Sequence, residues 1–101
     1  MTVLATMTPT VVHLSGDIDI STTAGLRRRI LAALDESLEV LVVDMGAVTF
    51  CDAAGLGMLL RTQRQAEARG MTLALTRLTP QMTRLLDITE LRDRFPILTD
   101  S

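Results

Sequence analysis

The spacing of apolar residues changes period several times along this chain, and each change predicts an element. Residues 41–43 (Leu-Val-Val) form an apolar run rich in β-branched side chains, which is typical of a strand covered on both faces. Asp44 and Gly46 interrupt the run, so we expect the strand to stop there, with Asp44 as a turn residue. Residues 48–50 would then cross over as a loop.

Three segments have helical spacing. One apolar stripe at four-residue steps predicts a helix and consists of Leu26, Ile30, Leu34 and Leu38. A second helix is predicted over residues 53–69, with Asp52 as its N-cap and Gly70 as a left-handed cap after its end. Thr79 followed by Pro80 predicts the start of a third helix, since proline suits the first helical turn. Its apolar face consists of Met82, Leu85 and Leu86.

Short β-branched or alternating segments predict the remaining strands. Residues 3–7 and 11–14 are two such segments on either side of a Thr-Pro-Thr sequence, which predicts a hairpin. Apolar and polar residues alternate from 71 to 76, the pattern of a half-buried strand. Residues 95–98 predict an edge strand, because Pro96 cannot donate to a β-ladder.

The order of predicted elements is ββαβαβαβ, with residues 15–19 ending the second strand. Alternating strands and helices predict an α/β fold with parallel crossovers, plus one antiparallel pair at the start. We therefore expect a mixed sheet of four to five strands with interleaved helices. No linker, repeat or low-complexity segment divides the chain, which predicts one domain over residues 1–101.

Composition limits the function classes. The net charge of −2 offers no basic face for nucleic acid. No apolar run approaches the roughly 18 residues of a membrane span, so no direct membrane insertion is expected. The first residues do not have the pattern of a signal peptide, and the single cysteine fits a reducing compartment, so we expect a cytoplasmic protein.

The titratable residues do not form a recognisable catalytic set. His13 has no serine, cysteine or carboxylate at a catalytic spacing, and we interpret it as a surface strand residue. Cys51 is interpreted as a small buried hydrophobe, since the neighbouring Asp52 opposes formation of a thiolate. The aspartates match no metal-binding loop, and no lysine follows the glycines as it would in a phosphate loop. No enzyme, metal or cofactor is predicted.

Three ordered motifs carry a resemblance to a known family. The first follows the buried run and reads Asp52-Ala53-Ala54-Gly55-Leu56-Gly57. The second reads Leu14-Ser15-Gly16-Asp17-Ile18-Asp19, and the third reads Thr79-Pro80-Gln81-Met82-Thr83-Arg84-Leu85-Leu86. Together they resemble the STAS domains of anti-sigma factor antagonists, over nearly the whole chain. The resemblance implies the same α/β fold and a regulatory protein-binding module.

The resemblance also shows where this chain departs from the family pattern. The family's phosphorylatable serine follows the aspartate of the first motif, and the residue at that position here is Ala53. Glu90 stands where a glycine is common. Family members also usually have a further C-terminal helix. The chain therefore resembles a phospho-switch protein without the phosphate acceptor.

The resemblance places partner binding around the start of the second helix. Asp19 is carried over from the second motif and is expected at the same end of the sheet as Asp52, since both follow strand ends. Met58 lies off the apolar stripe, so we expect it to be exposed and to contribute apolar contact. The predicted partner-binding residues are Asp19, Asp52, Ala53, Ala54, Gly57, Met58 and Arg61.

Two functional hypotheses remain. The first is an anti-sigma factor antagonist that sequesters an anti-sigma factor of the serine-kinase type and so frees a sigma factor, without release by phosphorylation at Ala53. The second is a STAS subunit of another assembly, such as a lipid-transport ATPase complex or a stress-sensing complex. A weak homodimer is compatible with either.

Overall fold

The computed structural model describes residues 10–37 and 39–99. Its strands are β1 (Thr10–Ile18), β2 (Val40–Cys51), β3 (Thr72–Thr76) and β4 (Ile97–Leu98). Its helices are α1 (Thr23–Glu36), α2 (Ala53–Ala68) and α3 (Pro80–Ile88), and a single 3₁₀ turn spans Arg92–Arg94. The predicted strand at residues 3–7, the turn after it and Leu38 lie outside the described residues.

Within residues 10–37 and 39–99, the strands form one sheet in the order β1-β2-β3-β4, and every pair is parallel. Each crossover carries one helix, and the uniform hand of such crossovers places all three helices on one face. The prediction that residues 41–43 lie inside the sheet is confirmed, since β1 and β3 flank them. The α/β class is confirmed as well, and the predicted antiparallel pair would involve residues outside the described part.

The core lies between the sheet and the three helices. Alternate residues of β2, among them Leu41 and Val43, are fully buried in the same cluster as Ile30 of α1, Leu59 of α2 and Met82 of α3. Each helix therefore turns buried apolar residues toward the sheet, and those of α1 and α3 belong to the predicted stripes, with Ile30, Leu34, Met82 and Leu86 all buried. Val42, which points to the other face of the sheet, is also buried, at 4% exposure, so both faces of the inner strand are covered, as its continuous apolar run predicts.

The predicted end of the strand that contains residues 41–43 is wrong. β2 continues through Asp44 and Gly46 to Cys51, whereas β1 ends at Ile18, within the predicted residues 15–19. Ser15 pairs with Ala47, and Ile18 pairs with Cys51, with two β-bulges on the way. Each bulge places one extra residue on β2 without ending the ladder, and Gly16, on β1 next to the second bulge, has a φ of +76°.

Asp44 is a buried strand residue and not the turn residue that we expected. Its carboxylate accepts a hydrogen bond from the Gly46 amide at 2.8 Å. The Nδ1 atom of His13 lies 3.0 Å from one carboxylate oxygen, and Nε of Arg77 lies 3.3 Å from the other. A buried carboxylate is tolerated where hydrogen bonds and cations replace its water. His13 itself is exposed, as predicted.

The helix boundaries agree with the signals in the sequence. Gly70 adopts a φ of +73° directly beyond α2, which confirms the left-handed cap. Thr79 caps α3, where its hydroxyl accepts from the Met82 amide at 3.2 Å, and Pro80 is the first helical residue. Glu90 has a φ of +59°, a conformation that favours glycine. This geometry explains why a glycine suits that position.

Candidate functional site

The site is built where β1 and β2 end together. The amide of Asp52 donates to the carbonyl of Ile18 at 3.1 Å, which extends the strand pairing by one residue. The carboxylate of Asp52 then accepts from the Gly55 amide at 3.0 Å. This bond satisfies one of the free amides at the start of α2, and it confirms the predicted N-cap.

Gly55 allows α2 to begin in close contact with both strands. A Cβ atom at this position would lie 2.6 Å from Cγ2 of Ile18 and 2.9 Å from Sγ of Cys51. It would also lie 2.7 Å from the backbone oxygen of Ile18, which cannot rotate away. The motif therefore needs a glycine here for packing, and the direction of the first turn of α2 depends on it.

Gln81 holds the end of β2 from the opposite side, and the sequence analysis assigned it no role. Its Oε1 accepts from the Cys51 amide at 3.0 Å, and its Nε2 donates to the Cys51 carbonyl at 2.8 Å. The pairing of β2 with β3 stops at Asp44, so the Gln81 side chain bonds the Cys51 backbone at a level that β3 does not reach and where β1 alone pairs with β2. The only sequence signal was a polar amide in the first turn of α3.

Asp19 lies at the same edge of the sheet as Asp52, because Ile18 and Cys51 are paired and each aspartate follows directly. The Asp19 carboxylate accepts from the Ser21 hydroxyl at 2.6 Å and from the Ser21 amide at 2.9 Å. These bonds, the hydroxyl bond first, lower the pKa of Asp19 from its ordinary value. Asp19 is therefore ionised and held in a tight turn at neutral pH.

We call the loop of Asp19–Thr22 and the first turns of α2, residues 52–57, the strand-end rim. Ala53 is exposed on it, while Ala54 and Gly57 are half-buried. Arg61 is exposed one turn later, and its Nη1 atom lies 3.4 Å from the Cβ position of Gly57. Because the side chains on these turns are small, another molecule could come close to the helix backbone.

Met58 does not lie on this surface, and the prediction of its exposure is wrong. Its side chain is fully buried. Met58 and Arg69 are about three helical turns apart and so lie on the same side of the helix. Arg69, directly after α2, pairs with Asp35 of α1 at 2.7 Å, so α1 packs along this side. Met58 lies off the apolar stripe of its own helix but faces the neighbouring helix. The periodicity of one helix does not show which side a second helix will cover.

Cys51 is a buried residue, as predicted. Burial, and next the negative charge of Asp52, raises the pKa of its thiol to about 11. The thiol is therefore protonated at neutral pH and does not act as a nucleophile.

Two exposed apolar side chains flank the site, and the sequence analysis did not assign them. Ile20, in the turn after β1, is 82% exposed, and Phe50, next to Cys51, is 48% exposed. Within the described part of the chain, no group of three or more histidine, cysteine or acidic residues is arranged to hold a metal ion. Among the helices of the same residues, none has the length and apolarity to cross a bilayer.

The chain belongs to the STAS domain family. A family model described as "Mlab, STAS domain" matches residues 1–99. The class of protein is thus a small α/β regulatory module, as the three motifs implied.

Known proteins similar to this chain include anti-sigma factor antagonists. The anti-sigma-B factor antagonist of Bacillus subtilis is 28% identical over 90 residues, which cover 89% of this chain and 82% of that protein. The crystal structure of an anti-sigma factor antagonist from Mycobacterium paratuberculosis is 31% identical, with a TM-score of 0.75, covering 86% of this chain and 74% of that one. A sulfate transporter family protein from Wolinella succinogenes shares the fold at 23% identity and a TM-score of 0.66, covering 87% and 75%.

Proposed function

We propose that this protein is an anti-sigma factor antagonist whose strand-end rim binds an anti-sigma factor of the serine-kinase type, and that phosphorylation at position 53 does not release it. One observation carries the proposal. Ala53 is exposed at the capped start of α2, where the family resemblance places a phosphorylatable serine. Residue 53 is therefore exposed, as a phosphorylation site must be, although the methyl group of Ala53 cannot accept phosphate.

The geometry of the rim supports protein binding. The Asp52 cap and the Gln81 bonds hold the backbone of the rim on rigid elements. Small residues at Ala53 and Gly57 permit close contact with a partner backbone. Exposed Ile20, in the Asp19–Thr22 loop of the rim, offers additional apolar contact surface to a partner. The bound state would then be controlled by the amount of the protein.

The second hypothesis, a STAS subunit of another assembly, is compatible with the fold shared with the sulfate transporter family protein. The two hypotheses differ in the partner that they require. Affinity capture with the purified protein, followed by identification of stoichiometric partners, separates an anti-sigma kinase from a transporter ATPase.

A steric variant tests the proposed surface. Gly57→Arg places a long side chain where the structure has open space apart from Arg61. Arginine is the better helix former by about 0.8 kcal/mol, so folding should be retained. We expect the variant to lose binding to the purified serine-kinase-type anti-sigma factors of the source organism, measured by calorimetric titration. Binding at wild-type affinity, with an unchanged circular dichroism melt, would exclude the rim as the docking surface.

A further inference from the structure

Positive charge lies on the exposed face of two helices, whereas negative charge lies on the strand-end rim. Five exposed arginines lie on α1 and α2, and one of them, Arg29, donates a hydrogen bond to the carbonyl of His13 at 2.9 Å. The other four are Arg27, Arg28, Arg61 and Arg64. Within residues 10–37 and 39–99, none of these four forms an ion pair or a side-chain hydrogen bond. By contrast, Arg69, Arg77 and Arg92 each contact a carboxylate. We call the four residues the arginine seam.

The packing of the two helices brings members of the seam to the same level. α1 and α2 contact each other and each follows a parallel strand, so they run in the same direction. The pair between Asp35 and Arg69 fixes their register. Arg28 precedes Asp35, and Arg61 precedes Arg69, by about two helical turns in each case. The two arginines therefore lie at a similar level along the two helices.

Both guanidinium groups lean toward the strand-end rim. The Nη2 atom of Arg28 lies 4.0 Å from the Cβ position of Gly25, and Nη1 of Arg61 lies 3.4 Å from that of Gly57. Each glycine lies about one turn before its arginine, on the side of the helix N-terminus. A missing side chain thus leaves space for the cation, and the positive end of the helix dipole lies in the same direction.

We propose that the arginine seam docks an acidic surface of the protein partner, while Asp19 and Asp52 face a part of that partner without negative charge. This inference rests on the proposed function and specifies the chemistry of its partner. Guanidinium groups suit carboxylates because they form paired hydrogen bonds. Because the positive and negative charges lie on different parts of the surface, a partner with complementary charges docks in one orientation. A partner with the reverse arrangement of charges is repelled.

A protein partner fits these charges better than a nucleic acid does. The chain has a net charge of −2, and the carboxylates of Asp19 and Asp52 lie at the edge of the same surface. A continuous phosphate backbone that followed the seam to the rim would meet this negative charge. A protein surface, in contrast, can place acidic side chains only where the arginines are.

Charge reversal tests the inference. The double variant Arg28→Glu/Arg61→Glu is compared with Arg84→Glu, which makes the same kind of change at an exposed residue of α3. Each is titrated against the purified serine-kinase-type anti-sigma factors of the source organism, at about 0.05 M and about 0.3 M salt. We expect the double variant to bind about 100-fold more weakly at low salt and to lose most of its salt dependence. Arg84→Glu should stay within about twofold of wild type, since surface charges outside an interface contribute little.

The outcomes separate the inference from the proposed function. Suppose that the double variant keeps its affinity and salt dependence while Gly57→Arg loses binding. This result would contradict an acidic partner surface but would leave the strand-end rim as the docking surface. Failure of every such anti-sigma factor to bind the wild-type protein would overturn both. Circular dichroism melts of all variants show whether a weaker affinity reflects unfolding.

Discussion

The two halves of β2 differ in what surrounds them. Residues 41–44 pair with both β1 and β3, and all four are buried. Residues 45–51 extend beyond β3, pair with β1 alone, and leave Phe50 half-exposed. On their open side the Cys51 peptide is bonded by Gln81 instead of a strand. The first half supplies stability, and we interpret the projecting half as the support of a binding surface.

The largest effect is expected in the inner half. Leu41→Ala removes a fully buried side chain from between two strands. The free energy of unfolding should fall by about 2–5 kcal/mol, since the cavity adds to the lost burial. Leu98→Ala is the control at a residue that is 45% exposed. Chemical denaturation measures both, and equal losses for the two variants would contradict the role given to the inner half.

An intermediate effect is expected where the projecting half is tied to α3. Gln81→Leu keeps the approximate volume but leaves the Cys51 amide and carbonyl without these partners. We expect a loss of about 1–3 kcal/mol and faster hydrogen exchange at the Cys51 amide. Gln65→Leu, on the exposed face of α2, is the matched control. Retention of slow exchange at Cys51 would show that another contact holds the projecting half.

The smallest loss of stability is expected from removing a helix cap, and two cap variants separate the capping role of Asp52 from a role in binding. Asp52→Ala and Thr79→Ala each remove a side-chain cap, from α2 and α3 respectively, and each should cost about 1 kcal/mol. Only Asp52→Ala should also weaken binding to an anti-sigma factor, because Thr79 caps a helix outside the rim. Thermal melts and binding titrations are compared for both. Equal affinities in the two variants would limit Asp52 to its structural role.

The features that the sequence predicted correctly are those that depend on neighbouring residues. The buried run at 41–43, the cap at Asp52 and the Thr79-Pro80 helix start each follow from local spacing or local hydrogen bonding. These signals were enough, with the three motifs, to identify the fold and to place Asp19 and Asp52 at one edge of the sheet.

The features that the sequence did not predict depend on contacts between distant residues. β2 continues through Asp44 because His13 and Arg77, on the adjacent chain segments, lie against its carboxylate. Met58 is buried because of the position of α1, and Gln81 bonds a peptide 30 residues away. Periodicity along one segment contains no information on which other segment will pack beside it.

The central claim is that the strand-end rim binds without a phosphate switch at position 53. Its most direct test is to form the complex with a serine-kinase-type anti-sigma factor, add ATP, and follow intact mass and complex size together. Wild-type protein should remain unmodified and bound, whereas Ala53→Ser, which supplies a hydroxyl at an exposed position, should gain one phosphate and dissociate. Phosphate on the wild-type protein, at Thr49 or Ser21 for example, accompanied by release of the complex, would contradict the account.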